Sequence, residues 1–453
     1  MGGPIMKENR SFFSTVCTLA IPVALQSMLQ ASFSIVDQIM IGQLGSVSIA
    51  GVGLAGKFSS IYSVVVSAIG AVAGIMLAQY LGQKERQEVR RSFWVNLWIS
   101  LELAVLFTGV CGLFPQQVMG LYSTDAATVE AAAAYLRLIS ATFLPIAGAT
   151  MLSTLFRCME KPKLPLYASI VSALLNTGLN YILIFGKLGF APMGAAGAAI
   201  ATVISQWANV LIMLFLLPRK DSPLKKQGEE VRSPFNRKQY LAMLLPILAC
   251  ETLWSLGENV YAVIYGHLGT QAAAAMTLIN PVVGLVIGAL CGVSQAAAMI
   301  IGKLLGCRQY DQAYTAGKKL MVYGLLGSVI LGCIVVLTRG LYVGIYQVEP
   351  QVRALTEQIL LAFALVCPFK VLNMILGSGI LRSGGKTKYI MFMDIIGTWC
   401  LGVPTGLLAA FRWNLTIPYV YFLLSLEECV RYAIGLWVFR RKRWMRSLEA
   451  KAK

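Results

Sequence analysis

The sequence predicts an all-α polytopic membrane protein of twelve transmembrane helices, built as two parallel-repeat lobes of six. Three observations predict it. First, apolar residues make up 57% of the 453-residue chain and charged residues 13%, with a mean hydropathy of +0.70, whereas a soluble domain carries about a quarter charged residues. Second, of 38 Lys and Arg, 30 fall in seven places: Lys7/Arg10, Lys84–Arg91, Arg157–Lys163, Arg219–Lys238, Lys303–Lys319, Arg382–Lys388 and Arg440–Lys453. Excess positive charge marks cytoplasmic segments, so each interval between neighbouring clusters holds an even number of crossings. Six intervals of two give twelve helices and place both termini inside. Third, the two halves of the chain resemble one another.

Met1–Arg10 is short and polar, and the apolar run after it has no small-residue cleavage pattern, so no cleaved signal peptide is expected. In the first half, helices are read over 14–41, 48–81, 93–114, 131–156, 164–187 and 193–217. In the second half they are read over 241–266, 273–303, 318–338, 354–381, 389–411 and 416–439. Each meets the length of about 20 residues that a bilayer crossing needs, and 58–83, 164–186 and 188–218 contain no Asp, Glu, Lys or Arg. The second and eighth are too long for one straight crossing and are expected to tilt or extend past the bilayer.

The longest polar segment, Leu217–Tyr240, has three prolines and seven basic residues and divides the chain near its middle. The expected organisation is an N-lobe over 1–217, a cytoplasmic linker over 218–240, a C-lobe over 241–439 and a basic cytoplasmic tail over 440–453. At an offset of 224, Pro22 matches Pro246, Gly42-x-Leu44-Gly45 matches Gly266-x-Leu268-Gly269, and Leu81-Gly82 matches Leu305-Gly306. At 225, Arg157, Lys161 and Lys163 match Arg382, Lys386 and Lys388. Both halves start from the cytoplasm and run in the same sense, the pattern of a parallel repeat about an axis along the membrane normal.

The formal charge of +18 sits in loops and a tail, beside anionic lipid head groups, so membrane topology explains it better than binding to nucleic acid, and no nucleic-acid partner is expected. The ten cysteines are scattered without a CxxC and read as reduced packing residues. Seven acidic residues fall within predicted spans: Asp37, Glu102, Glu251, Glu258, Asp394, Glu427 and Glu428. A carboxylate at the centre of a helix costs about 2.5–3.5 kcal/mol on insertion scales, so such residues face protein or water. Gln26, Gln30, Ser34 and Asp37 form one polar stripe along the first helix. It reads either as an interhelical hydrogen-bond network or as a carboxylate that loads and releases an ion. Asn176 and Asn180 lie one turn apart on the fifth helix, and Thr202 lies on the sixth beside Gln206 and Asn209. They read as interhelical glue or as oxygen ligands for a hard cation. Glu251 and Glu258 share a face of the seventh helix, with Trp254, Tyr261 and Tyr265 nearby, a set suited to a lipophilic cation by charge pairing and cation–π attraction. Arg431, one turn from Glu427 and Glu428, reads as their local ion-pair partner. Glu102 and the single histidine, His267, read as structural.

Several motifs resemble the multidrug and toxic compound extrusion (MATE) family. The first helix, IPVALQSMLQASFSIVDQIMIGQLG, is similar to the family's proline entry, Val-Asp and Gly-x-Leu-Gly pattern. LFRCMEKPKLPLYASIVSALLNTGLNYILIFG followed by MGAAGAAIAT looks like its fourth-to-sixth helix signature, and GILRSGGKTK like its Leu-Arg-Gly…Lys-Thr motif. The resemblance implies two lobes forming a V around a central cavity. It also implies sodium- or proton-coupled antiport of cationic amphipathic drugs or toxins by alternating access, without a further cofactor. It places the coupling ion at Asp37, Asn176, Asn180 and Thr202, with sodium as the metal those residues would hold. Some members carry Asp where this chain has Asn180. The residues offered for substrate are Gln30, Ser34, Glu251, Trp254, Glu258 and Tyr261. On the tenth helix, Lys370 stands near Asn373 where some members carry an acid. The expected setting is a bacterial plasma membrane, with lipid around a monomer.

A flippase for a lipid-linked precursor is the alternative; an anionic pyrophosphate would call on Lys57, Arg137 or Lys370. An enzyme is disfavoured, since there is no paired-Asp magnesium motif, no HExxH and no GxxxxGK[ST].

Overall fold

Backbone polar groups cannot be left unpaired in hydrocarbon, so a chain this apolar must close its hydrogen bonds within helices. The computed structural model describes residues 12–123, 125–218, 223–225, 236–346 and 348–448, and among these there is no strand. Among the described residues, eleven helices are long and apolar enough to cross a membrane: α1 Phe12–Leu44, α2 Val47–Gln83, α3 Arg86–Leu113, α4 Ala126–Cys158, α5 Lys163–Phe185, α6 Gly194–Phe215, α7 Arg237–His267, α8 Thr270–Gly306, α9 Tyr310–Gly344, α10 Pro350–Gly384 and α11 Lys388–Arg412. The twelfth predicted crossing is divided into Ile417–Ser425 and Glu427–Arg440, which meet at Leu426; the pair is α12. Several helices outrun their predicted bounds. α3 and α9 begin seven or eight residues early, because Arg86–Arg91 and Tyr310–Lys318 continue the helix with polar residues that hydropathy alone does not count.

Burial is inverted relative to a soluble protein. Leu106, Leu337 and Leu341 are 60%, 80% and 77% exposed, while Gln79, Asn96, Ser100, Ser328 and Thr356 are fully buried. Polar groups find one another inside the bundle, and the apolar exterior suits lipid. All ten cysteines are free.

The chain divides into two compact units, Met1–Leu25, Ala78–Lys84 and Ser233–Lys453 in the first, and Gln26–Leu77 and Glu85–Arg232 in the second. The core of the second gathers Tyr62, Phe143, Leu136 and Ala104. Tyr62 and Phe143 sit with ring centroids 4.4 Å apart, and the Tyr62 hydroxyl donates to the Phe143 carbonyl at 2.7 Å. The core of the first runs through Ile301, Leu305, Leu320, Ile359, Phe363 and Ile375, and takes in Val16 and Leu19 from the start of α1.

The repeat has a physical basis at its glycines. Gly45 and Gly269 hold φ of 90° and 106°, a conformation that a side chain resists; each turns the chain between paired helices. Within the first unit, the ends of α2 and α8 touch reciprocally. A Cβ on Gly82 would strike the Lys303 carbonyl, and a Cβ on Gly306 would strike the Gln79 carbonyl. Beyond α12 the chain returns to this crossing. Trp444 is fully buried, Gln79 donates to the Ser383 carbonyl and accepts from the Leu448 amide, each at 2.6 Å, and Gln83 donates to the Leu448 carbonyl at 2.7 Å. The predicted linker and tail fall partly outside the described residues.

Candidate functional site

In the second unit, the small residues of α6 bring it against α5. A Cβ on Gly197 would lie 2.8 Å from the Leu183 carbonyl, and Ala198, Ala199 and Ala201 are buried. That close approach sets Thr202 beside Asn176 and Asn180, which share one face because they are four apart. Asn180 Nδ2 donates to Asp37 Oδ1 at 2.7 Å and to Asn176 Oδ1 at 3.2 Å. Asn176 Nδ2 donates to Thr202 Oγ1 and Ser205 Oγ, both at 3.3 Å. The Asn176 carbonyl oxygen then lies 3.0 and 3.2 Å from the two Asp37 oxygens. Oxygens that close are held either by a proton or cation on the carboxylate, or by reversing the amide so that its N–H faces Asp37. Asn180 Oδ1 is buried without a hydrogen-bond partner. The donors are one carboxylate, two amide oxygens and a hydroxyl, a set that fits a proton or a hard monovalent cation. Among the described residues no three His, Cys, Asp or Glu gather as a metal site. At the inner end of the same stripe, Gln26 is buried and donates to Ser169 at 2.8 Å, whereas Gln30 and Ser34 are exposed.

The first unit holds a cavity of about 250 Å³ between α7, α8, α10, α11 and α12, lined by Glu251, Trp254, Lys370, Asn373, Arg382, Asp394, Glu428 and Arg431 among others. Two of its walls are widened helices. Met374–Leu381 of α10 and Ile395–Gly402 of α11 are π-helical, a form that recurs at functional sites. Arg382 Nη2 pairs with Glu251 at 3.1 Å. Arg431 pairs with Asp394, which also accepts from the Cys250 thiol, and with Glu428 at 3.6 Å. Asn373 Nδ2 donates to the carboxylate and the backbone carbonyl of Glu428, both at 2.7 Å. Tyr261 donates to Glu427 at 2.7 Å, beside Gly402, where a Cβ would strike both.

The sequence-predicted residues therefore separate. Asp37, Asn176, Asn180 and Thr202 come together in the second unit. Glu251 and Trp254 line the cavity of the first; Glu258 is exposed and does not line it, and Tyr261 is buried against Glu427. Seven residues return to the same side of a helix but rise about 10 Å along it, which carries Glu258 past the cavity. Arg431 serves Asp394 and Glu428, and Glu427 turns instead to Tyr261. Arg382, which belongs to the sixth basic cluster, also lines the cavity; its place at the end of the apolar run Met374–Leu381 is the sequence signal for it. Lys57 and Arg137 are exposed in the second unit, Glu102 is exposed on α3, and His267 packs edge-on to Phe411.

Polar clusters sunk in long apolar helices are the mark of a polytopic membrane protein. The MatE family model matches residues 22–182 and 246–408, more than half of the chain, and the protein belongs to that family. The two matched blocks start 224 residues apart, the offset of the internal repeat. The chain is 22% identical over 426 residues to "Probable multidrug resistance protein NorM" of Thermotoga maritima, covering 94% of this chain and 92% of the relative. It is 27% identical over 414 residues to the protein of the same description in Neisseria meningitidis serogroup B, covering 88% of each. A solved outward-facing multidrug resistance MATE transporter of the MOP superfamily superposes with a TM-score of 0.88 at 17% identity, covering 97% of this chain and 98% of that one. A crystal structure of MATE in complex with MaL6 superposes at 0.87 with 18% identity, covering 96% of each.

Proposed function

We propose that this chain is a secondary active multidrug exporter of the bacterial plasma membrane, with both termini cytoplasmic. It works as a monomer and exchanges cationic amphipathic compounds for an inward-moving sodium ion or proton. The observation that carries the reading is the cluster around Asp37: a half-buried carboxylate with the amides of Asn176 and Asn180 against it and the Asn180 amide oxygen unpartnered. Such a site trades a proton or cation for an internal N–H donor. Coupling follows when the ion binds one arrangement of the helices better than the other. Trp254 and Glu258, both exposed, offer an aromatic face and a carboxylate to a lipophilic cation.

The test is ethidium efflux from proteoliposomes under separately imposed sodium and proton gradients. One gradient should drive efflux by the wild-type protein, and Asp37→Asn should abolish it at equal expression and folding. Efflux driven by neither gradient, or wild-type efflux by Asp37→Asn, overturns the proposal.

A further inference from the structure

We infer that the cavity of the first unit is a binding subsite for an acidic group, a carboxylate or phosphate carried on a small apolar body. Its three lining carboxylates are already engaged: Glu251 by Arg382, Asp394 by Arg431 and Cys250, and Glu428 by Arg431 and Asn373. What remains unengaged among the lining groups is mainly donor. Among the described residues, Lys370 has no hydrogen-bond or ion-pair partner, yet its side chain lines the cavity. Arg382 Nε is buried and unpartnered, and so is the acceptor Asn373 Oδ1.

The acids in electrostatic reach of Lys370 are Glu428, Glu258 and Glu427, with Tyr421 beside them. Glu427 is held by Tyr261, Glu428 by Arg431 and Asn373, and neither Glu258 nor Glu427 lines the cavity. A ligand entering here lies beside Lys370, Arg382 and Asn373, which all line the cavity. A guanidinium N–H and an ammonium suit carboxylate and phosphate oxygens, and the free amide oxygen suits a hydroxyl or N–H beside the acid. Trp254, Ile287, Met374 and Ile390 supply apolar wall. The volume, about 250 Å³, lies just below the usual range of about 300–1,000 Å³ for ligand pockets, so it takes a small acid or the acidic end of a larger molecule.

The test is calorimetric binding to the purified full-length protein in detergent at neutral pH, with salicylate, phenyl phosphate and benzylammonium as probes. No gradient is present, so the result stands apart from the coupling proposal. Wild-type protein should bind at least one of the two acids, and the preferred one tells carboxylate from phosphate. Lys370→Met should weaken that acid about tenfold or more, the loss of one charge-assisted hydrogen bond, while Lys370→Arg retains it. Benzylammonium should bind Lys370→Met no more weakly than wild type. Ser378→Asp, which adds a carboxylate to the wall and leaves Lys370 in place, should weaken acid binding as well, and it carries the test if Lys370→Met fails to fold. No binding of either acid by wild type, or equal binding by the folded Lys370→Met and Ser378→Asp proteins, overturns the inference.

Discussion

Arg431 is the counter-charge for two carboxylates, each with only 8% of its side chain exposed. Removing one partner of a buried ionic cluster costs about 3–5 kcal/mol, because the survivors are left uncompensated. Arg431→Met should therefore lower the thermal midpoint of the detergent-solubilised protein sharply, and Asp394→Asn added to it should restore part of the loss. An Arg431→Met midpoint equal to wild type would show that the cluster carries no stability. Asn180 invites a different experiment. Its amide N–H donates to Asp37, and Asn180→Asp would replace that donor with a second carboxylate. Two carboxylates in contact favour sharing a proton, so the variant should move the pH dependence of efflux or its sodium preference, read in proteoliposomes across a pH series. At this scale Asp37 and its companions were legible because helical spacing of four, four and three makes a polar stripe visible against apolar sequence. Arg382 was not, because a basic residue near a helix end reads as a cytoplasmic flank until a carboxylate from another helix is seen to meet it.

Helices were legible from hydropathy, their interruptions much less so. Residues 416–439 read as one apolar run, yet α12 is divided at Leu426, and Glu427, Glu428 and Arg431 follow immediately. Tertiary partners on α7, α10 and α11 satisfy those side chains, and no local pattern announces them. The same holds for the π-helical stretches of α10 and α11. The crossing of α2 and α8 gives a sharp prediction. Gly82→Ala and Gly306→Ala each place a methyl against a backbone carbonyl, which cannot rotate away. Overpacking costs about 1–3 kcal/mol, so each variant should lower the thermal midpoint, whereas Gly53→Ala, which would meet nothing within 4 Å, should not. A further element is the returning segment after α12. Trp444 is fully buried, and truncating a buried Trp to Ala costs about 3–5 kcal/mol. Trp444→Ala should destabilise the protein measurably in the same melt, and an unchanged midpoint would mean that the segment is dispensable.

For the whole molecule, the seven basic clusters make a strong statement about orientation. Single cysteines placed in a Cys-less background should label from the cytoplasmic side only, both near residue 225 and beyond Arg440. Labelling of the 219–238 loop from outside intact cells would overturn that orientation. Helical class was readable because lipid imposes one strict rule, that backbone polar groups pair locally, and long apolar runs obey it visibly. The division into compact units was less readable. It cuts through α1 at Leu25 and through α2 at Leu77, positions where the hydropathy pattern continues undisturbed.

The reciprocal crossing of α2 and α8 also bears on ancestry. Exchanging the halves maps Gly82 onto Gly306 and Gln79 onto Lys303, so the contact maps onto itself, as it does between identical subunits related by a two-fold axis. A half-length ancestor meeting its own copy would make this contact twice, and fusion of a duplicated gene would preserve it. Because each glycine meets a main-chain oxygen, the side chains at 79 and 303 were left free to diverge. One is a lysine, and the other is a glutamine that holds the returning C-terminal segment.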